Sequence, residues 1–168
     1  MKRVTGIGKI DGESRLLGRD EDPTLDWPAA GQVPTLSLER KAVGTLRLGD
    51  SFDSAKTLGR PKRLRGPASG GNQVLEYASF ELEFQDGQFV CAKFDLDGSA
   101  SVSVGDIRLS RSTKPLDAQV WLGEPASDST QGSGGLRWID FMREGATLAL
   151  EFDAKGLTCV QLYAEGYA

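Results

Sequence analysis

From residue 43 to residue 48 the chain alternates, with Val43 and Thr45 on one side and Leu46 and Leu48 on the other, and this predicts a short strand. Phe52, Ala55 and Leu58 then recur at every third position and make one apolar stripe, which predicts a two-turn helix. Asp50 or Ser51 can cap its start, Asp53 places negative charge in its first turn, and Gly59 and Pro61 close it. Strands are predicted at 73–77, 80–85 and 88–94, with Asp86-Gly87 as a two-residue type I′ turn. That turn pairs Phe84 with Phe89 and Leu82 with Cys91 on one face, leaving Glu81, Glu83, Val90 and Ala92 on the other. Further along, Ser112 or Thr113 caps a second helix with Pro115 early in it. Leu116 and Val120 of that helix are expected to face inward, and Gly123 and Pro125 repeat the stop. Leu148, Leu150, Phe152, Leu157 and Cys159 form a second alternating set.

These elements recur in one order. VGTLRLG (43–49) returns as VGDIRLS (104–110), LGRP (58–61) as LGEP (122–125), and the Ser-Gly-Gly at 69–71 as that at 133–135. LEY (75–77) matches LRW (136–138) at an offset of 61, and FELEF (80–84) matches LALEF (148–152) at an offset of 68. A fixed order of weak landmarks signals internal duplication. The expected division is an N-terminal strand or arm and linker over 1–42, unit one over 43–103 and unit two over 104–168. Each unit reads as a short helix followed by an antiparallel meander. Joined side by side they predict an α+β fold: two tandem helix–antiparallel-meander repeats forming one sheet with helices on one face, the other face open.

The order of strand, Leu48-Gly49-Asp50-Ser51, helix, Leu58-Gly59-Arg60-Pro61, Gly-rich loop, Tyr77 and Phe84 resembles the β-lactamase-inhibitory-protein architecture of two tandem repeats. In the second unit the likeness is carried by Leu122-Gly123-Glu124-Pro125, Trp138 and Phe152. A single such unit is similar to the small lipoproteins of the barrel-assembly machinery. The likeness covers about residues 43–163, and its motifs are degenerate. It implies a protein that binds proteins and does no chemistry. The inhibitory protein carries a disulfide within each repeat, whereas each unit here has one cysteine, and the N-terminal lipid cysteine of the lipoproteins is absent. Cys91 and Cys159 are expected to be reduced, core-facing residues at equivalent positions.

Composition narrows the chemistry. The 168 residues contain no histidine, which removes Ser-His-Asp and Cys-His catalysis, HExxH zinc sites and the ordinary pH switch. Two distant cysteines cannot build a zinc ribbon. Asp+Glu 24 against Lys+Arg 20 leaves a net charge of −4, which does not favour nucleic acid. No apolar run reaches membrane-spanning length, and the N-terminus shows no apolar signal region, so the expectation is a cytoplasmic chain, or a periplasmic or secreted one if a signal peptide was removed. No cofactor and no metal are expected. Asp95, Asp97 and Asp106 miss calcium-loop spacing because Gly98 falls at the fourth position, and Gly6, Gly8 and Gly12 miss dinucleotide spacing. Glu81 and Glu83 lie two apart on one strand with no apolar pocket implied, so they read as strand surface.

The remaining candidates suit partner binding. Arg60, Lys62, Arg63 and Arg65 form a basic stretch that reads as a solvated loop or as a steering patch for an acidic partner. Tyr77, Trp138, Phe141 and Tyr163 are candidate anchors on an open sheet face, core packing being the plainer reading, and parity places Tyr77 and Trp138 on a common side. The acidic, proline-bearing stretch 20–34 reads as a linker or an arm over the body, with Trp27 docked in a groove. The expected function is a non-enzymatic protein-binding module, most concretely an inhibitor or immunity protein that occludes a partner enzyme. The alternative is a small-molecule-binding or envelope-scaffold protein. A deep apolar pocket would favour the small molecule; a shallow, charged and aromatic face would favour the protein.

Overall fold

The computed structural model describes residues 22–67, 71–131 and 135–167. The glycine pattern at 6–12, the first residues of the acidic arm and most of both Ser-Gly-Gly landmarks lie outside the described residues. Strand accounts for 47% of the structure and helix for 11%, so the expected α+β class is replaced by a mainly β architecture of two sheets. The smaller sheet contains β1 (Leu36–Ser37), β2 (Ala42–Val43), β3 (Leu46–Arg47), β8 (Ser101–Val104) and β9 (Ile107–Ser110), in the order β3-β2-β1-β8-β9. The larger contains β4 (Arg63–Arg65), β5 (Asn72–Glu76), β6 (Phe80–Gln85), β7 (Gln88–Asp95), β10 (Ser127–Gln131), β11 (Leu136–Arg143), β12 (Ala146–Asp153) and β13 (Gly156–Ala164). Its order is β10-β11-β12-β13-β7-β6-β5-β4, two antiparallel meanders joined through their last strands.

One core lies between the sheets. Phe80, Leu82, Phe84, Phe94, Ile139, Phe141, Leu150 and Phe152 reach it from the large sheet, and Leu36, Val43, Leu46, Val102 and Leu109 from the small one. Each such fully buried side chain stabilises the fold by about 1.5–3 kcal/mol relative to exposure. The layer expected to be helical is thus a second sheet. Its strands are two to four residues long, and the alternating stretch 43–48, expected as one strand, is a tight hairpin in which β2 and β3 pair across a turn at 44–45.

Both helices differ from expectation. Phe52–Leu58 is a 3₁₀ helix, closed by Ser54 N–H to Ser51 O and Gly59 N–H to Lys56 O. An apolar spacing of strictly three residues matches its three residues per turn better than the α-helical period. The α-helix, α1 (Pro115–Leu122), buries Ala118 and turns Leu116 and Val120 outward, 71% and 72% exposed, contrary to their expected inward placement. Ala118 and, at its last position, Leu122 face the body instead.

The Asp86-Gly87 turn has positive φ at both residues, as a type I′ turn requires. It pairs Phe84 with Phe89, but a bulge follows, so Leu82 faces Ala92 and Glu83 faces Cys91. The second meander has its irregularity at the corresponding place, where Glu151 faces Cys159 and Leu150 faces Val160. One extra residue reverses the face of everything beyond it. Both cysteines therefore sit on the side of the sheet away from the core, although both are buried and unpaired. The 1–42 segment contributes β1, and before it an arm in which Trp27 is buried with its ring 5.6 Å from that of Phe52.

Candidate functional site: the outer face of the large sheet

The face of the eight-stranded sheet turned away from the core carries three rows of cross-strand neighbours. The middle row runs across all eight strands as Ser127, Asp140, Ala149, Gln161, Lys93, Glu81, Glu76 and Arg63. One flanking row holds Ser129, Trp138, Glu151, Cys159 and Asp95. The other holds Met142, Thr147, Tyr163, Cys91, Glu83, Val74 and Arg65. Lys93 faces Gln161, the residue 68 positions later, so a local dyad passes through the centre of the sheet.

The two halves of this face differ. In the β10–β13 half, Ser129, Trp138, Asp140, Ala149, Gln161, Tyr163 and Tyr167 line a depression of about 300 Å³. Its floor is the small side chain of Ala149. The chain returns over the sheet after β13, so Tyr167 sits with its ring 5.8 Å from that of Tyr163 and its hydroxyl donating to Glu83 Oε1 at 2.6 Å. Burial pushes the Tyr167 hydroxyl well above its usual pKa. Asp140 accepts a hydrogen bond from Ser127 Oγ at 3.0 Å and pairs with no cation among the described residues. A second depression of about 270 Å³ adjoins, lined by Glu81, Glu83, Cys91, Lys93, Gln161 and Tyr167.

In the β4–β7 half, the cations of edge strand β4 close on the neighbouring carboxylates. Arg63 donates to Glu76 at 2.9 Å, Arg65 donates to Glu76 as well, and Arg65 reaches Glu81 at 3.2 Å. The Arg63 hydrogen bond holds the Glu76 carboxyl below the usual carboxylate range.

The predicted site residues therefore separate. Trp138 and Tyr163 line the depression. Tyr77 and Phe141 are core residues: Tyr77 stacks on Phe80 at 4.5 Å and donates its hydroxyl to Gly59 O at 2.8 Å, and Phe141 is 1% exposed. Tyr77 and Trp138 thus point to opposite faces, not to a common one. The cause is the alignment of the halves. The strand registers make Tyr77 equivalent to Phe141 and Val74 to Trp138, an offset of 64, whereas LEY and LRW match at 61; an odd error exchanges the faces. Half of the basic stretch, Arg63 and Arg65, lies in strand β4, whereas Arg60 and Lys62 precede it in irregular chain. Arg63 and Arg65 belong to the strand's ion-pair cluster, Arg60 donates to Leu25 O at 3.0 Å and ties down the arm, and Lys62 is exposed with its backbone N–H on Glu76 O at 2.7 Å.

Asp140, Ala149, Gln161 and Tyr167 were not singled out by sequence reasoning. Asp140 and Gln161 lie two residues from Trp138 and Tyr163, so strand alternation was the signal for both. Tyr167 had none, because it reaches the face by a turn after β13. Burial raises the Cys91 thiol to about 12 and the Cys159 thiol to about 11, which keeps both protonated and poorly nucleophilic. Among the described residues, no group of three or more Cys, Asp or Glu side chains is placed to hold a metal ion, and no helix is long and apolar enough to cross a membrane. Comparison with protein-family models, characterised proteins and solved structures finds no match to the chain.

Proposed function

We propose that the chain is a non-enzymatic protein-binding module that uses the outer face of its large sheet, most concretely as an inhibitor or immunity protein covering a partner enzyme. The observation that carries this reading is the shallow depression in which Trp138, Tyr163 and Tyr167 stand half-exposed among charged and amide side chains. Aromatic residues with one apolar side and one polar tip are the usual anchors of protein interfaces. A small-molecule site calls for a deeper, more enclosed apolar cavity than this face offers. Protonated, covered thiols and the lack of histidine leave the face without an activated nucleophile, which supports a binding rather than a catalytic role. The cations of β4 are engaged by Glu76 and Glu81, which argues against nucleic acid. Two unpaired thiols suit a reducing compartment, and the proposed place of action is the cytosol.

The test is photo-crosslinking in cells that express the chain natively. A crosslinking amino acid replaces Met142, which is 55% exposed on this face, or Lys56, on the remote 3₁₀ helix. One adduct of defined mass, formed from position 142 and not from position 56, is the expected result. Equal adducts from both positions, or none from position 142, would refute the reading.

A further inference from the structure

The dyad through Lys93 and Gln161 allows the two halves of the outer face to be compared position by position. Registers in β4, β5, β10 and β11 equate residues 64 apart, and those in β6, β7, β12 and β13 equate residues 68 apart. Glu76 corresponds to Asp140, so each half has a carboxylate at this position of the middle row. In the first half that carboxylate is met by guanidinium groups from the edge strand, Arg63 and Arg65. The corresponding edge-strand residues of the second half are Ser127 and Ser129, which are short and uncharged. Ser127 gives Asp140 one hydroxyl hydrogen bond, and no arginine of the chain reaches it among the described residues.

The other substitutions between the halves enlarge and line the same space. Glu81 is matched by Ala149, which lowers the floor, Val74 by Trp138, and Asp95 by Tyr163. Tyr167 adds a third ring. Aromatic faces beside a carboxylate attract an organic cation, and a planar guanidinium can stack on rings while donating to a carboxylate. The surrounding charge agrees. Among the described residues, Glu83, Asp95, Asp140 and Glu151 lie on this part of the face against one cation, Lys93.

We propose that the depression around Ala149 is a socket for an arginine side chain of the partner, which takes beside Asp140 the place that Arg63 and Arg65 take beside Glu76. The assignment rests on the protein-binding reading above for the origin of the arginine, but the socket itself is testable without any partner.

The experiment titrates the full chain with N-acetyl-arginine N-methylamide and follows the three tryptophan indole N–H resonances by NMR. The Trp138 indole is expected to shift with saturation at millimolar probe, while the Trp27 and Trp121 indoles stay in place and report an intact fold. The isosteric, uncharged citrulline amide is expected to leave all three unmoved. Asp140→Asn should weaken the probe about tenfold, the loss expected for one charge-assisted hydrogen bond. Ser129→Arg, on the exposed edge strand, should fill the socket from within and abolish the Trp138 response. An equal response to both amides, a response to a neutral trisaccharide but not to arginine, or undiminished binding by the Ser129→Arg chain would overturn the proposal. A socket that takes arginine in a chain giving no adduct from position 142 would leave the arginine site standing and overturn its assignment to a protein partner. A position-142 adduct indifferent to Asp140→Asn would do the reverse.

Discussion

Gly59 and Gly123 offer a paired measurement of how the arm is held. Each ends a helix in its LGxP motif, and each has a backbone open essentially to glycine alone, φ 89 and ψ 179 for Gly59, φ 94 and ψ −159 for Gly123. An alanine at either position bears the same conformational strain, about 2 kcal/mol. Their surroundings differ. A Cβ at Gly123 meets open space, whereas one at Gly59 collides with the backbone of Ala29 and Ala30 in the arm. Relief of that collision pushes the arm away, which disturbs the Arg60 N–H to Pro28 O bond at 2.7 Å, the Tyr77 hydroxyl on Gly59 O and the burial of Trp27. Two hydrogen bonds at roughly 1 kcal/mol each and partial exposure of one aromatic add about 2–3 kcal/mol. Gly123→Ala should therefore cost about 2 kcal/mol and Gly59→Ala about 4–5 kcal/mol, which for a chain of this size separates their melting temperatures by roughly 5–10 °C. Urea unfolding followed by circular dichroism gives the two free energies, and fluorescence shows whether the Gly59→Ala chain gains a red-shifted tryptophan. Costs that agree within about 0.5 kcal/mol would show that the arm does not rest on Gly59.

Burial of the thiols predicts their chemistry and an alkaline limit. Their folded pKa values, about 12 for Cys91 and about 11 for Cys159, lie above the value of 9.0 for an unperturbed thiol. The unfolded chain therefore loses these protons first, and stability that is complete below pH 9 falls as pH rises toward 11–12, by up to about 1.4 kcal/mol per pH unit for each thiol. Cys91→Ala/Cys159→Ala should make this limb shallower in unfolding measured at several pH values, the Tyr77 and Tyr167 hydroxyls, also raised by burial, supplying the slope that remains; a limb that keeps its full slope would assign it elsewhere. Native iodoacetamide labelling should be slow at both thiols, and Tyr167→Ala should accelerate it at Cys91 more than at Cys159, as peptide mass spectrometry would show. Leu116→Glu/Val120→Lys should change stability by no more than about 0.5 kcal/mol, because both side chains stand in solvent on α1; a loss of several kcal/mol would place them in the core.

How far the fold could be read depended on whether a signal survives a shift by one residue. The Asp86-Gly87 turn was legible because its chemistry is local. The facing of Cys91 and Cys159 was not, because the irregularities beside Glu83 and Glu151 leave no mark in composition, yet each reverses the strand beyond it. Ala92 and Val160, not the cysteines, fill the core positions opposite Leu82 and Leu150. The small sheet was missed for a different reason: alternation over 43–48 does not show that the chain turns back at 44–45, and a strand as short as Leu36–Ser37 gives no period at all. Of the four expected anchors, Trp138 and Tyr163 lie on the outer face and Tyr77 and Phe141 in the core. Which of them meets solvent was fixed by register, and register came from the offset of 64 that the LGxP motifs already showed.

The two faces of the large sheet differ in how far its halves have diverged. Core-facing equivalents keep their character: Leu75 with Ile139, Leu82 with Leu150, Phe84 with Phe152 and Phe94 with Leu162 all remain large and apolar. Packing density permits little else, since a lost or gained methylene in a core is felt as strain or cavity. The outer face has no such limit, and there the equivalents change charge, size or ring: Arg65 with Ser129, Val74 with Trp138, Glu81 with Ala149, Asp95 with Tyr163. In the first half the outcome is a closed cluster, with Arg63 and Arg65 on Glu76 and Glu81, that satisfies its own charges. In the second it is the Asp140 carboxylate, which pairs with no cation among the described residues, beside three rings. A self-satisfied half beside one whose carboxylate has no cation among the described residues supports the proposal that recognition uses the latter, because there an outside group gains contacts that the described residues do not already supply.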